Sequence, residues 1–534
     1  MKTRRDFLKI LMAGGAVAAL PVASREGRAA PDPDLILRLV AAPDRVSIWR
    51  GEQTRVLRFQ AQVIQGRSDA VRQSSSYLGP VLEFRPGEHV RVHFENRLSE
   101  PSIVHWHGML VPDTADGHPR FAVDGGESYT YDFTVRNPAG TYLYHPHPHG
   151  STGKQVYFGL AGLVIVRDLS ERAVGLPDGE NELHLVIQDR RVGEDNQLRF
   201  RRMMMDDMSG VLGDQVLVNG KPDAAFRVAP RPYRLRLANV SNARIYKLAW
   251  SDKNPMHVIA GDNGLFSRAD GVQVRPYVVL APFERVELYE DFGERRSRRE
   301  FALVSQEFVS GDMMGGMMGE GMMDEDMMGG GGMMRGMMGR GMMGGSRGGG
   351  MVGRGMGDMM QGMMSGGQGD ELLVARFTVS DGSRTRAGTL RLPAPAPSVR
   401  EGKNELYTRL AFRHMRGSLN GRTFNMHSVA DDEHLPLDEG TVWTFANEGG
   451  GMMSMSHPMH IHGVRFRVLE RSRGDAPEDL RDGLIDVGFK DTFLIFPGER
   501  VRVLVAPTEP GLFMYHCHNL EHEDGGMMRN CRFG

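Results

Sequence analysis

Apolar and polar residues alternate along short stretches of this chain, and Gly, Pro, Asn or Asp residues interrupt these stretches at frequent intervals. The alternation is clear at 90–94 (Val-Arg-Val-His-Phe), at 235–237 and at 501–503. A period of two places successive side chains on opposite faces of a strand. No long stretch keeps the 3.6-residue period of a helix, so the pattern predicts an all-β protein built from sandwiches.

The two ends of the chain repeat one pattern. Pro138–His147 is similar to Pro510–His518, since both lead from a Pro/Gly turn through an apolar strand into His-x-His. His105–Gly108 is echoed by His460–Gly463 in the same way. The middle of the chain, about 180–310, has similar strands but lacks His-x-His. We therefore predict that the two ends are copies of one module, and that the middle is a module of the same kind without metal.

The N-terminus has the features of an export signal. Thr3–Lys9 contains a twin-arginine signature, and a mildly apolar run follows at Ile10–Ala23. That run is short for a membrane span, which needs about twenty apolar residues. We therefore assign residues 1–30 to a signal peptide with cleavage near Ala23 or within 27–30, and we predict export by the twin-arginine route to the periplasm or beyond, without a stable membrane span.

Length and composition narrow the class of protein. The chain has 534 residues, which suggests about three or four domains. Its net charge is only −2 and it has no basic stripe, so we expect no nucleic-acid partner. Two cysteines, Cys517 and Cys531, are too few for a disulfide framework. A bridge between these two would consume the thiol that a metal site at Cys517 requires, so we expect Cys531 to be a free thiol.

Residues 311–370 consist almost entirely of Gly and Met, and this tract contains twenty of the 37 methionines. So much Gly disfavours a stable helix or strand. The tract interrupts what the pattern predicts to be a hairpin formed by 301–304 and 372–377. Repeated thioether pairs suit a soft ion such as Cu(I) or Ag(I), whereas a plain linker would need only Gly and Ser. We expect a mobile insertion that captures Cu(I), with a flexible linker as the alternative.

The stretch 516–528 concentrates imidazole, thiol and thioether groups. On an extended strand, His516 and His518 face one way and Cys517 faces the other, so one strand can serve two metal sites. Cys517, His522 and Met527 provide the soft ligand set of a blue-copper electron-transfer site with a long axial Met. Such a site also needs a second His from elsewhere in the chain.

Further His motifs meet that need. The four motifs are His105-x-His107, His145-x-His147, His457-x-x-His460-x-His462, and His516-Cys517-His518 with His522 and Met527. Zinc and structural histidines are the alternatives for a single His-x-His. A zinc site closes with four ligands and has no use for this many, so the set as a whole favours several coppers.

Together these motifs resemble those of the multicopper oxidases, the family that contains laccases, and most of all those of bacterial copper-efflux (cuprous) oxidases. The resemblance covers the whole mature chain. It implies three cupredoxin-like Greek-key β-sandwich domains at 31–170, at 171–395 with the Met/Gly-rich insertion, and at 396–534. The trinuclear cluster would lie between the first and the third domain, in agreement with the repeat.

The resemblance also implies four coppers and their ligands. Type 1 copper would be held by His457, Cys517 and His522 with Met527 axial, and type 2 copper by His105 and His460. The type 3 pair would be held by six further residues: His107, His145, His147, His462, His516 and His518. His149 extends one motif but falls outside this ligand pattern.

Two acids and two methionines complete the implied site. Asp116 and Glu523 match family positions that supply protons to the cluster, and the alternative is that both are ordinary surface carboxylates. Met455 matches a Met of the substrate Cu(I) site of the copper-efflux oxidases. Met453 occupies the position where that site has Asp, so the site is altered or absent in its usual form.

The resulting hypothesis is an enzyme that couples four one-electron oxidations to the reduction of O2 to water. Cu(I) is the expected substrate, with Fe(II) and phenols as further small reductants, and we expect a monomer. One alternative is a laccase-type phenol oxidase in which the Met-rich tract merely covers the site. Another is a non-catalytic copper-storage protein, which uptake of O2 by the copper-loaded protein would exclude.

Deletion of residues 311–370 tests the role of the Met-rich tract. If the paired thioethers deliver Cu(I), the deletion lowers the rate of Cu(I) oxidation, while oxidation of a large organic dye is kept or rises. Steady-state rates with both substrates measure the difference. Unchanged Cu(I) kinetics would contradict a role in Cu(I) capture.

Overall fold

The computed structural model describes residues 32–534 except 201–205, 296–298, 310–366, 386–387, 398, 414–415, 449–454 and 476. Within it, Asp34–Gly534 form a single unit. The predicted signal peptide and nearly all of the Met-rich tract, including 311–366, lie outside the described residues. No helix in the described part is long and apolar enough to cross a membrane.

The first sandwich uses strands with strictly buried alternate positions, such as Leu35, Leu37 and Leu39. Its strands are β1 (Leu35–Val46), β2 (Thr54–Gln65), β3 (Val71–Arg72), β4 (Val81–Phe84), β5 (His89–Asn96), β6 (Val104–His105), β7 (Ser128–Thr134), β8 (Gly140–Pro146) and β9 (Gly162–Val166). They form one sheet in the order β2-β1-β5-β7 and a second in the order β3-β4-β9-β8-β6. The inward-facing apolar side chains of both sheets meet in one core around Trp106.

The middle sandwich has its own core around Trp250. Its strands are β10 (Glu182–Arg190), β11 (Gln215–Val218), β12 (Ala225–Val228), β13 (Pro232–Asn239), β14 (Tyr246–Trp250), β15 (Met256–Gly261), β16 (Gly264–Leu265), β17 (Gln273–Arg275), β18 (Val278–Leu280), β19 (Arg285–Asp291), β20 (Glu300–Ser305) and β21 (Leu372–Val379). One sheet has the order β11-β10-β13-β19-β15-β16 with β17 on β15, and the other β12-β21-β20-β14-β18.

The third sandwich repeats the plan around Trp443. Its strands are β22 (Glu401–Arg413), β23 (Arg416–Leu419), β24 (His434–Leu435), β25 (Gly440–Asn447), β26 (His457–Ile461), β27 (Phe466–Arg471), β28 (Thr492–Ile495), β29 (Arg500–Val505), β30 (Gly511–Cys517) and β31 (Met528–Phe533). The sheet orders are β23-β22-β25-β29-β27 and β24-β31-β30-β26-β28.

Helices are short and lie between strands. In the described part of the chain the α-helices are Thr152–Tyr157, Ser170–Val174, Asp206–Ser209, Glu478–Arg481 and Leu520–Asp524. The 3-10 turns there are Ser68–Ala70, Pro119–Phe121, Gly179–Asn181, Phe292–Arg295 and Asp431–Glu433. Asn519 caps the helix Leu520–Asp524, because its side chain accepts hydrogen bonds from the backbone N–H groups of Glu521 and His522. This cap fixes the backbone of a segment that lies directly after Cys517.

The three sandwiches confirm the predicted all-β fold of three cupredoxin-like domains. The hairpin predicted around the Met-rich tract is confirmed too, since β20 and β21 pair in antiparallel register with Phe301 opposite Phe377. Both cysteines are buried and neither forms a disulfide, as expected.

Candidate metal centre

Two pairs of neighbouring strands bring the His motifs together. In the first sandwich β6 pairs with β8, which sets His105 opposite His145. In the third sandwich β26 pairs with β30, which sets His460 opposite His516. Antiparallel pairing places side chains at opposed positions on the same face, so each sandwich presents a group of imidazoles at one end of a sheet.

The two groups of imidazoles face each other in a buried cluster. Two groups of three histidines, or trios, each contain residues of both sandwiches. Within each trio the ligand atoms lie within 4.8 Å of one another; the trios are His107, His145 and His518, and His147, His462 and His516. Beside them, the Nε2 atoms of His105 and His460 lie 3.3 Å apart. All these side chains are buried. Neither sandwich alone can therefore form the cluster.

Hydrogen bonds at the outer nitrogen orient most of these rings. In five of them Nδ1–H donates to an oxygen: His105 to the backbone of Asp116, His145 to that of Pro146, His460 to that of Asp491, His516 to that of Cys517, and His462 to the Asp116 carboxylate. This fixes the tautomer and leaves the Nε2 lone pair directed into the cluster. In His107 the two nitrogens exchange roles, because the one that contacts an oxygen is Nε2, 3.1 Å from Asp491 Oδ1.

The residues fit copper, because the cluster contains lone pairs that nothing else satisfies. Within the described part of the chain, His107 Nδ1, His145 Nε2 and both nitrogens of His518 are buried without a hydrogen-bond partner. Burial and the neighbouring histidines lower the pKa of His145 to about 3, and burial lowers that of His107. These imidazoles are therefore neutral, which is the form that binds a metal ion.

A second, smaller group lies on the other face of β30. Cys517 Sγ is 3.4 Å from His457 Nδ1 and 3.5 Å from His522 Nδ1. Burial raises the pKa of the Cys517 thiol, so a bound cation is needed to stabilise its thiolate. A residue of the middle sandwich orients His522, because the His522 Nε2–H donates to the backbone oxygen of Met208 at 2.7 Å.

The predicted axial ligand, Met527, lies in the same loop. Its N–H donates to the backbone oxygen of His522 at 2.9 Å, and its own oxygen accepts from the Cys517 N–H at 3.0 Å. Its buried side chain packs against Gly417, where an added Cβ would lie 2.7 Å from Met527 Sδ. Glycine at 417 therefore makes room for the thioether.

The remaining predicted residues have different surroundings. Met455 is buried, and its backbone oxygen accepts from Asn447 Nδ2 at 2.8 Å. Met453 lies outside the described residues. His149 is exposed, with its ring beside that of Phe424.

Both predicted acids are buried against the histidine cluster. Asp116 Oδ2 lies 2.7 Å from His462 Nδ1, and burial together with Asp113 raises its pKa. Glu523 lies 3.4 Å from His147 Nε2 and 3.2 Å from His516 Nδ1. Burial would raise the pKa of Glu523, but these two imidazoles outweigh it and lower the pKa to about 2. The alternative that these are ordinary surface carboxylates is wrong.

Sequence analysis missed Asp491 and Thr492. Thr492 Oγ1 lies 3.2 Å from His107 Nε2 and 3.1 Å from His460 Nδ1, and it donates to Asp491 Oδ1 at 2.9 Å. No local motif marks these residues. Their position follows from the antiparallel register of β26 and β28, which sets His460 opposite Thr492.

One strand thus joins a cysteine–histidine site to a cluster of eight histidines, an arrangement that fits a copper-dependent oxidoreductase with O2 as acceptor. Sequence models of the multicopper oxidase family match residues 58–171 and 399–532. The chain belongs to this family, whose members bind four coppers and use O2 with a reducing substrate.

Individual relatives agree with this assignment. A multicopper oxidase of Staphylococcus haemolyticus is 28% identical over 462 residues, which span 86% of this chain and 83% of the relative. A laccase of Bacillus subtilis is 27% identical over 84% of this chain and 83% of the relative. The crystal structure of the McoA multicopper oxidase from Aquifex aeolicus superposes with a TM-score of 0.73 at 29% identity, covering 94% of this chain and 96% of that one.

Replacement of Cys517 by serine tests the smaller site. The Cys517→Ser variant is expected to lose the intense blue colour and one of the four coppers while keeping its fold, because a hydroxyl cannot replace the thiolate ligand. Visible absorption, copper analysis and circular dichroism measure the three effects. The Cys531→Ser variant removes the other buried thiol and should stay blue. Blue colour in the Cys517 variant would contradict the assignment.

Proposed function

We propose that this protein is a cuprous oxidase, with Cu(I) as its main reducing substrate and copper tolerance as its role. The supporting observation is the short helix Asp206–Ser209, which lies against His522 through the Met208 carbonyl. Asp207 and Met208 are both partly exposed there. The Met208 thioether and the Asp207 carboxylate, both close to His522, suit a soft cation that gives up one electron.

We assign the ligands as follows. Type 1 copper is held by His457, Cys517, His522 and Met527, and type 2 copper by His105 and His460. The type 3 coppers are held by the two trios, His107, His145 and His518, and His147, His462 and His516. Copper bound at these residues would supply one-electron chemistry, by which four single electrons from the substrate would reduce one O2 to two waters.

The strand β30 supplies the connection between the two sites. Cys517 lies in one site, while its chain neighbours His516 and His518 lie in the other. Along the backbone, a single peptide bond therefore joins Cys517 to each of these histidines. The pairing of β30 with β26, where Met459 lies opposite Cys517, holds this geometry rigid.

Asp116 and Glu523 are proposed to deliver the protons that O2 reduction consumes. Their carboxylates contact His462 on one side and the His147–His516 pair on the other. Both are buried, so each can pass a proton to the cluster without admitting bulk water. Geometry supports this role, because a proton donor must lie within hydrogen-bond reach of the reacting group or one water away.

The relay is tested with isosteric amides. Asp116→Asn and Glu523→Gln should each lower turnover by about 10²- to 10⁴-fold at unchanged copper content, because an amide cannot supply the proton. O2 uptake and copper analysis measure both quantities. Asp124→Asn is the matched control, since Asp124 is an exposed acid eight residues further along the chain. Full turnover in both relay variants would contradict the proposal.

A laccase-type activity on phenols is the second candidate. A surface cavity of about 600 Å³ borders the ligand loop and is lined by residues that include His149, Arg416, Phe424 and Asp524. This volume suits a small organic molecule. The cavity also contains Asp207 in its lining, so the two candidate substrates would approach the same part of the surface.

Kinetics with Cu(I), Fe(II) and a phenol, measured side by side, distinguish the two candidates. For a cuprous oxidase, Asp207→Asn and Met208→Leu raise the KM for Cu(I) about tenfold, equal to about 1.4 kcal/mol, with kcat unchanged. The KM for the phenol stays constant. Asp214→Asn is the control, as an exposed acid a few residues away. A higher kcat/KM for the phenol than for Cu(I), with no effect of either variant, would favour the laccase.

Three further proposals concern the whole chain. The twin-arginine signature supports export to the periplasm or beyond, followed by loss of residues 1–30. The three cores support domain boundaries near 170 and 395. Both halves of the cluster come from one chain, which supports a functional monomer.

A further inference from the structure

The turn between β18 and β19 of the middle sandwich reaches the histidine cluster. The ligands assigned above all belong to the first and third sandwiches. Nevertheless Phe283 and Arg285, at the end of this turn, are fully buried beside His518 and Asp491. This contact needs an explanation other than metal binding.

Phe283 has an unusual backbone conformation. Its φ is +63°, a region that residues with a Cβ adopt only at a cost in free energy. Its ring stacks on His518 with the centroids 4.0 Å apart, and it lies 4.6 Å from His145 edge to face. Strain of this kind persists where the surroundings determine the conformation, and it is concentrated at functional sites.

Arg285 uses all five of its N–H donors. Two form a fork on Asp491, with Nη1–Oδ1 at 2.7 Å and Nη2–Oδ2 at 2.6 Å. The other three donate to backbone oxygens of Thr141, Asp262 and Phe283. Thr141 belongs to the first sandwich, Asp262 to the middle one and Asp491 to the third. The guanidinium therefore ties all three sandwiches together at the cluster.

Asp491 transmits this constraint to two rings of the cluster. Its carboxylate contacts His107 Nε2 at 3.1 Å, and its backbone oxygen accepts from His460 Nδ1 at 2.8 Å. The approach is close, since a Cβ on Gly108 would lie 2.4 Å from Asp491 Oδ2 and 2.8 Å from Arg285 Nη2. The glycine that follows His107 is thus required by this ion pair.

We propose that Phe283 and Arg285 are positioning residues of the copper cluster, supplied by the one sandwich that has no ligands. Arg285 fixes Asp491, whose carboxylate orients His107 and whose backbone oxygen orients His460. Phe283 fixes the plane of His518. The inference rests on the ligand assignment proposed above. It does not depend on which substrate the enzyme oxidises.

A role in stability alone would be a weaker explanation. A buried ion pair often contributes little net stability, because removing both charges from water offsets their attraction. Groups that hold a metal-binding His by its second nitrogen, in contrast, set ring orientation, and their loss weakens metal binding about 10- to 100-fold. The contact of Asp491 with His107 Nε2 is of this type.

The test compares Arg285→Met with Arg295→Met. Arg295 is also a buried arginine of the middle sandwich, but it pairs with Glu290 and stacks on Trp250. In Arg285→Met, copper affinity at the cluster should fall about 10- to 100-fold while type 1 copper binds normally. The type 2 electron paramagnetic resonance signal, the type 3 near-ultraviolet band and the blue type 1 band report each site separately.

Melting of the copper-free proteins separates positioning from folding. Arg295→Met should lower the melting temperature and keep full cluster occupancy. Full type 2 and type 3 occupancy in Arg285→Met, whatever its stability, would overturn the proposal. Loss of all coppers in a normally melting Arg285→Met would overturn the ligand assignment instead. The wild-type protein is also assayed with Cu(I). If it does not oxidise Cu(I), while Arg285→Met still loses the cluster coppers, the positioning role is supported and the cuprous function is contradicted.

Two milder variants cover the case in which Arg285→Met does not fold. Arg285→Lys keeps the charge but lacks the planar fork, so the type 2 signal should change and cluster affinity should fall less than in the Met variant. Phe283→Leu keeps an apolar side chain but removes the ring face on His518, so the type 3 band should weaken. Spectra of both variants identical to those of the wild type would overturn the proposal.

Discussion

The structure depends on one constraint: lone pairs of neutral imidazoles must converge in a buried space between two separate sandwiches. His105 and His460 Nε2 lie 3.3 Å apart, and His462 and His516 Nε2 lie 2.9 Å apart. Facing lone pairs repel unless a cation lies between them. The metal centre and the junction of the first and third sandwiches are therefore one feature, and copper binding contributes to holding the domains together.

This constraint explains features that lie outside the ligand set. Most of the outer nitrogens have an acceptor at a fixed place. Backbone oxygens such as those of Asp116 and Asp491 supply it, because a backbone atom has less freedom than a side chain. The middle sandwich has no ligand, yet Arg285 joins it to both partners at the cluster. Arg285 thus fixes the relative position of the three domains directly beside the histidine cluster.

Local sequence patterns were sufficient for the fold class, the hairpin at Phe301 and the grouping of the His motifs, because each depends on periodicity or short spacing. They could not reveal Asp491, Arg285 or Phe283. These residues matter through contacts between sandwiches, and no spacing along the chain encodes such contacts. The sequence has four methionines within 203–208, but the contact of Met208 with His522 depends on how the middle domain packs on the third.

Burial of the cluster also separates substrate choice from oxygen chemistry. Every cluster histidine is buried, so a metal ion or phenol that reduces the enzyme has no direct contact with them. His522 borders the helix Asp206–Ser209, and the ligand loop that follows it borders the cavity beside Phe424. Residues on that surface can change substrate preference without disturbing the Nε2 geometry inside. Residues around Met208 are therefore expected to determine which substrate is oxidised. Asp116, Glu523 and the Arg285–Asp491 pair are expected to determine the rate of O2 reduction.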